Sequence, residues 1–194
     1  MEPSVGVVIG TYGALDDWID LVERAKVSVH SQSRAADDLV WCHGENLADA
    51  RNSGAAQCGC EWLIFLDADD ELDEGYIEAM LSVEGDVRVP MTLGLYENGV
   101  DAYPTRIPWR DLRSANFVVI GAMQRRDNFE IVGGFPDYPI LEDWALWRRL
   151  SAIGATFVES PAIYKVHVRQ GSRNTDTELH GRVYRQILSE VPLS

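Results

Sequence analysis

The chain has 194 residues, of which 46% are hydrophobic, and carries a formal net charge of -14. That length suits one domain with a sizeable core of its own and no need of staples. The acidic balance argues against an electrostatic grip on nucleic acid or an anionic membrane, because both demand clustered Lys and Arg, so a phosphate-bearing ligand would need a cation as intermediary.

Three cysteines, Cys42, Cys58 and Cys60, cannot all pair within one chain. No secretory segment accompanies them, so reduced thiols in a cytoplasmic protein are expected. Cys58-Gly59-Cys60 with His43 lacks a standard zinc spacing and a fourth ligand, and reads as small buried side chains. No apolar run is long enough for a membrane span, and the longest, Phe117 to Met123, has the length of a strand.

Val5 to Ile9 reads as a first, central strand ended by Gly10, with Thr11 and Tyr12 following. A helix from Asp16 or Asp17 carries Trp18, Leu21, Val22, Ala25 and Val29 at helical spacing. Leu39 to Cys42 is a second short strand, and Ala48 to Cys58 a second helix containing Ala50-Arg51-Asn52-Ser53-Gly54. Trp62 to Leu66 reads as a strand buried on both faces, and a run of carboxylates, Asp67, Asp69 and Asp70, begins at its end. Tyr76, Ile77, Met80 and Leu81 continue as a helix. Strand and helix alternating in this order predict a parallel α/β core.

In the second half, Val87 to Val89 is a short strand. Asn98-Gly99 is a hairpin signal between Leu93–Tyr96 and Val100–Tyr103, and Phe117 to Met123 is a further strand. The glycines of Val132-Gly133-Gly134-Phe135-Pro136 allow close backbone approach. A helix runs from Leu141-Glu142-Asp143 to Ile153 and stops at Gly154. Thr156–Val158 and Ile163–Val168 are two strands separated by Pro161, and Glu178 to Val191 is a covering helix.

The acidic run carries the chemistry. In open α/β sheets, ligands bind beyond the carboxyl ends of strands, and Asp67 and Asp69 can both reach one hard cation, which could bridge a diphosphate. The plainer reading is a turn and a helix N-terminus, where carboxylates are favoured. A calcium-binding EF-hand loop fails in both registers: starting at Asp67 puts Leu72 where Gly is needed, and starting at Asp69 ends on Met80. His167 after a strand reads more readily as structural than as a ligand.

The ordered set Val7-Val8-Ile9-Gly10-Thr11-Tyr12, Ala50-Arg51-Asn52-Ser53-Gly54, Phe65-Leu66-Asp67-Ala68-Asp69-Asp70, Val132-Gly133-Gly134-Phe135, Glu142-Asp143 and Tyr164-Lys165-Val166-His167 resembles the family-2 glycosyltransferases. The resemblance implies a GT-A fold, Rossmann-like, in one domain with a mixed, mainly parallel sheet. Residues 1–70 would be its nucleotide-binding half, 71–175 its acceptor half and 176–194 a C-terminal helix. It implies an inverting transfer from a nucleotide-diphosphate sugar to a glycan, lipid-linked or small-molecule acceptor hydroxyl, dependent on Mn or Mg.

By the same resemblance Thr11, Tyr12 and Arg51 lie near the nucleotide, Asp67 and Ala68 at the ribose or donor sugar, and Asp69 with Asp67 on the cation, with His167 as a further metal or diphosphate contact. Asp143 would be the catalytic base and Glu142 its neighbour, while Gly133, Gly134 and Trp144 shape a sugar pocket. The chain departs from the family where Trp41 to Asn46 leads almost directly into the Ala-Arg-Asn segment, which shortens the base-recognition region and leaves Glu45 or His43 to meet the base. Gly10 stands where Pro is common. A non-catalytic nucleotide-sugar or glycan binding module and a nucleotidyltransferase are the competing readings, and a second subunit could complete the site.

Overall fold

The computed structural model describes residues 2–96, the backbone of 99–100, and residues 112–168 and 177–193. The elements are β1 (Val5–Tyr12), α1 (Ile19–His30), β2 (Asp38–Gly44), α2 (Leu47–Gln57), β3 (Trp62–Asp67), β4 (Glu71–Leu72), α3 (Tyr76–Leu81), β5 (Val87–Tyr96), β6 (Gly99–Val100), β7 (Met123–Arg125), α4 (Arg126–Ile131), α5 (Glu142–Ala152), β8 (Phe157–Val168) and α6 (Thr177–Glu190). The strands form one mixed sheet in the order β2-β1-β3-β7-β5-β8-β4, with β6 on β5. Its long ladders, β1 with β2, β1 with β3, and β5 with β8, are parallel, and the short ones at β7, β4 and β6 are antiparallel.

The two apolar runs fall at the centre because a strand covered on both faces can carry no polar alternation. Val5 and Val7 to Ile9 are fully buried, as are Leu63 to Phe65. Along β1 the residues of one face form a track for α2 and the loop after it. A Cβ on Gly6 would meet Cys58 Sγ, Val8 Cγ1 lies 2.4 Å from the Cβ position of Gly54, and a Cβ on Gly10 would sit 2.9 Å from Arg51 Cγ. Glycine at those positions lets the helix lie directly on the strand, and this close approach delivers Arg51 to the end of β1.

Two sequence expectations are corrected. Phe117–Met123 is not a strand; only Met123 enters one, as the first residue of β7. Its backbone groups go instead to side chains, with Trp147 Nε1 donating to the Val118 carbonyl at 3.0 Å and the Tyr76 hydroxyl donating to the Gly121 carbonyl at 2.7 Å. Thr156–Val158 and Ile163–Val168 are one strand, β8, and Pro161 is absorbed in a bulge. There Ser160, Pro161 and Ala162 oppose Pro90 alone between the pairs Val89–Glu159 and Met91–Ile163, so neither missing proline N–H breaks the ladder. The hairpin is present where described, Leu95 and Tyr96 pairing with Val100 and Gly99. Asn98, Tyr103 and the rest of 101–111 lie outside the described residues.

Behind the sheet, Arg148 on α5 is buried and donates to the carbonyls of Leu112 and Val191, and Trp144 Nε1 donates to Leu112 as well. Trp144 stacks on Tyr184 of α6 with ring centroids 5.0 Å apart. Among the described residues no helix is long and apolar enough to cross a membrane.

The α2–β1 contact sets the first prediction. Gly54→Ala should destabilise the protein by about 1–3 kcal/mol, the range for overpacking a filled core. Chemical denaturation measures it, and a variant as stable as the parent would show that α2 does not rest on Val8.

Candidate active site

A cavity of about 650 Å³ opens at the carboxyl ends of β1 and β3. Gly10, Tyr12 and Trp18 contribute from the first strand and its loop, Asp67 to Asp70 from the end of β3, Asn116 to Ile120 from the irregular segment, Ile140 to Asp143 from the start of α5, and Val166 to Val168 from β8. The position is the one in which open α/β sheets hold ligands, and the size suits a small organic molecule.

The acidic group is built by a tight turn. Asp70 N donates to the Asp67 carbonyl at 3.0 Å, and β4 then pairs with β8. That pairing brings His167 N to Asp70 Oδ1 at 2.9 Å, while the Tyr164 hydroxyl accepts from Asp67 N at 3.1 Å. Asp67, Asp69 and Asp70 each offer an oxygen within 4.8 Å of the others. Asp70 is only 5% exposed, and burial, followed by the charges of Asp67 and Asp69, pushes its carboxyl up to about 8. An all-oxygen donor set suits a hard cation such as Mg or Mn. Crowded carboxylates, one of them held protonated, are what such an ion would relieve.

Arg51 joins this group to the other acidic pair. Its Nη2 lies 2.5 Å from Asp67 Oδ1 and its Nη1 2.7 Å from Glu142 Oε1, and the side chain is almost wholly buried. Burial works against its charge, but Asp67 and Glu142 outweigh that and hold the guanidinium above its ordinary value. Asp143, next to Glu142, accepts from Asn116 Nδ2 and from Trp144 N, each at 2.7 Å. Burial first, then the neighbouring Glu142, raises its carboxyl to about 6, against the lowering effects of Arg51 and the two hydrogen bonds. Leu141, at the cavity edge, turns into α5 with φ 61°, a left-handed conformation uncommon for its type.

Of the residues singled out in the sequence, Tyr12, Arg51, Asp67, Ala68, Asp69, Glu142, Asp143 and His167 meet at the cavity. The others are placed elsewhere. Thr11 is fully buried beside the lining, receiving Trp41 Nε1 at 2.9 Å and lying 3.0 Å from His43 Nδ1. Glu45 is exposed before α2, its N–H donating to Asp49. Gly133 and Gly134 make a left-handed turn that seats Phe135, whose N and O both bond the Asn52 side chain at 2.9 Å. Trp144 faces away from the cavity because its indole anchors α5 to α6 and Leu112. His167 reaches the cavity with Nε2 2.7 Å from Glu71 Oε1, so in this arrangement only Nδ1 is left to meet an ion.

Sequence reasoning missed Asp70 as a ligand candidate, Trp18 as a lining residue and Asn116 altogether. The first lay in plain view in the acidic run. Asn116 gave no signal, since the stretch after it reads as an apolar strand.

Residues 39–86 match the family model of glycosyl transferase family 2. No curated protein sequence matches the chain. Among solved structures, S. aureus TarS is similar with a TM-score of 0.69 at 15% identity, over 98% of this chain and 40% of that one. TarS 1-349 in complex with UDP-GlcNAc is similar with a TM-score of 0.68 at 13% identity, over 98% of this chain and 68% of that one. TarS 1-349 in complex with UDP gives a TM-score of 0.63 at 15% identity, with coverages of 98% and 67%. The chain thus spans two fifths of the length of the first of these TarS chains and shares the fold of its matched part.

The raised carboxyl of Asp70 gives a sign-defined prediction. Its folded value, about 8, lies above its ordinary 3.8, so between those limits the folded chain holds a proton that the unfolded chain has lost, and stability falls as pH rises through that window. Asp70→Asn should therefore melt a few degrees above the parent at pH 8, with the difference closing below pH 4. Mn or Mg should raise the melting temperature of the parent and not of the variant. A less stable Asp70→Asn protein at pH 8 that responds equally to the ions would remove Asp70 from the site.

Proposed function

We propose that the chain is a family-2 glycosyltransferase, a reading supported by the match over residues 39–86 and by the shared fold, and that it moves a sugar from a nucleoside-diphosphate sugar to an acceptor hydroxyl by an inverting, divalent-ion-dependent mechanism. The observation that carries this reading is Arg51 bridging Asp67 and Glu142. It turns the acidic group at the end of β3 and the carboxylate pair at the start of α5 toward one volume. A donor diphosphate belongs at the first and an acceptor hydroxyl at the second.

In this scheme Tyr12 and Trp18 line the nucleotide end of the cavity, their rings 6.2 Å apart. Asp67, Asp69 and Asp70 hold the cation, with His167 alongside and Glu71 fixing its ring. When bound, the ion supplies Lewis-acid neutralisation of the charge that develops on the diphosphate leaving group. Arg51 orients Asp67 and Glu142 through its two ion pairs. Asp143 accepts the proton of the acceptor hydroxyl as that oxygen attacks the anomeric carbon from the face opposite the diphosphate, so one base suffices and configuration inverts. Asn116 and Trp144 N fix the rotamer of that base.

UDP-GlcNAc, found bound to TarS 1-349, is the first donor to test, followed by the other nucleoside-diphosphate sugars. Thermal shift with and without Mn, Mg or EDTA reads binding, and release of nucleoside diphosphate reads transfer. Binding without turnover on any acceptor would favour a binding module, and release of pyrophosphate would make the chain a nucleotidyltransferase.

Asp143→Asn should bind donor as the parent does and lose about 10²–10⁴-fold in turnover, the contribution of a positioned base. The base acts unprotonated, so parental turnover should fall as pH drops below about 6, the value to which burial raises Asp143. Undiminished turnover in Asp143→Asn would take Asp143 out of the reaction.

A further inference from the structure

At the other end of β1, Asp38, Cys58 and Cys60 form a second group of potential ligands, each offering one atom within 4.8 Å of the others. Asp38 opens β2 and pairs with Gly6 of β1. The cysteines flank Gly59 in the connection from α2 to β3. The group stands apart from the cavity, which begins at Gly10.

The cysteine loop is fixed with its two sulfurs on one side. A single guanidinium, that of Arg126, collects the carbonyls: Nε donates to Cys60 at 2.6 Å, Nη1 to Ala55 at 2.9 Å, and Nη2 to Cys58. The side chains turn the other way, into the space that glycine leaves on β1, where both sulfurs approach the Cβ position of Gly6. Both residues are buried, at 2% and 5% exposure, and all three cysteines are free thiols. His43, the partner that sequence proximity offers, lies instead at the far end of β2 against Thr11. Asp38, which sequence spacing does not offer, takes its place.

We propose that Asp38, Cys58 and Cys60 bind a thiophilic divalent ion of the zinc class, as a three-ligand site whose fourth position is open to water. Tetrahedral coordination with Zn–S bonds of about 2.3 Å puts two sulfurs about 3.8 Å apart, within the span the group already has. Two thiolates and one carboxylate select against Mg, which the oxygen-only site at Asp67, Asp69 and Asp70 suits. Binding forms two metal–sulfur bonds and a metal–oxygen bond and releases the thiol protons to solvent.

The test is titration of the reduced 194-residue chain with Co(II) and with Cd(II), read as thiolate-to-metal charge-transfer absorption, with Zn(II) as competitor. One equivalent of either ion should develop the band, and Zn(II) should abolish the Co(II) band. Cys58→Ser and Cys60→Ser should each lose the band, and Cys42→Ser should keep it. Asp38→Asn leaves both sulfurs in place and guards against misfolding of the serine variants. It should weaken binding about 10-fold at least, the loss that even an outer-shell partner causes. No band with the parent, a band that survives both serine substitutions, or an Asp38→Asn protein binding as the parent does would overturn the assignment. None of these readouts depends on glycosyl transfer.

Discussion

The buried guanidinium of Arg51 holds the molecule's chemistry in one place. It lies between Asp67 on the third strand and Glu142 on the fifth helix, two residues that no local structure connects. Its own position depends on backbone contact between α2 and β1: Gly10 has no side chain where Arg51 Cγ passes, and Gly54 has none where Val8 presses. Removing one member of a buried ion pair leaves an uncompensated charge, at a cost of about 3–5 kcal/mol. A chain without Arg51 would face that penalty at Glu142, and a smaller one at Asp67, whose side chain is a third exposed and screened by solvent.

On the proposed function a chain with a net charge of -14 holds an anionic ligand, and the arrangement of its carboxylates suits that role. The carboxylates that would repel a diphosphate are divided between two tasks. Glu142 and one oxygen of Asp67 are satisfied by Arg51. Asp69, Asp70 and the remainder of Asp67 are grouped as a hard-cation site would need, and an ion there would reverse the local charge. The crowding that raises Asp70 is a cost that a bound ion would relieve. β1 is the shared support, with the oxygen ligands near one end and the thiols at the other, each reached because glycine replaces a side chain.

Much of this was legible in the sequence. The runs Val5 to Ile9 and Trp62 to Leu66 read as central strands because a strand buried on both faces must be continuously apolar, and the carboxylates at the end of the second fell where the sheet opens. What depended on long-range contact was not legible. Asn116 joins the site through a segment whose apolar pattern matches a strand, and only the indoles and hydroxyls that take its carbonyls show otherwise. Trp144 stands beside the acidic pair in sequence, yet helical rotation carries it to the opposite side of α5. Gly133 and Gly134 serve a turn held by Asn52. Pro161 marks a bulge and not a strand end, since whether a proline interrupts a ladder depends on what its partner strand offers opposite it, here Pro90.

If one cavity holds both a nucleoside diphosphate and its metal, Mn(II) with UDP should broaden backbone amide signals around it by paramagnetic relaxation. The strongest broadening should centre on residues 67–70, with 166–168 and 142–144 next, and UDP should sharpen this pattern relative to the ion alone. Broadening that is absent from residues 67–70, or centred at the other end of β1, would contradict this reading.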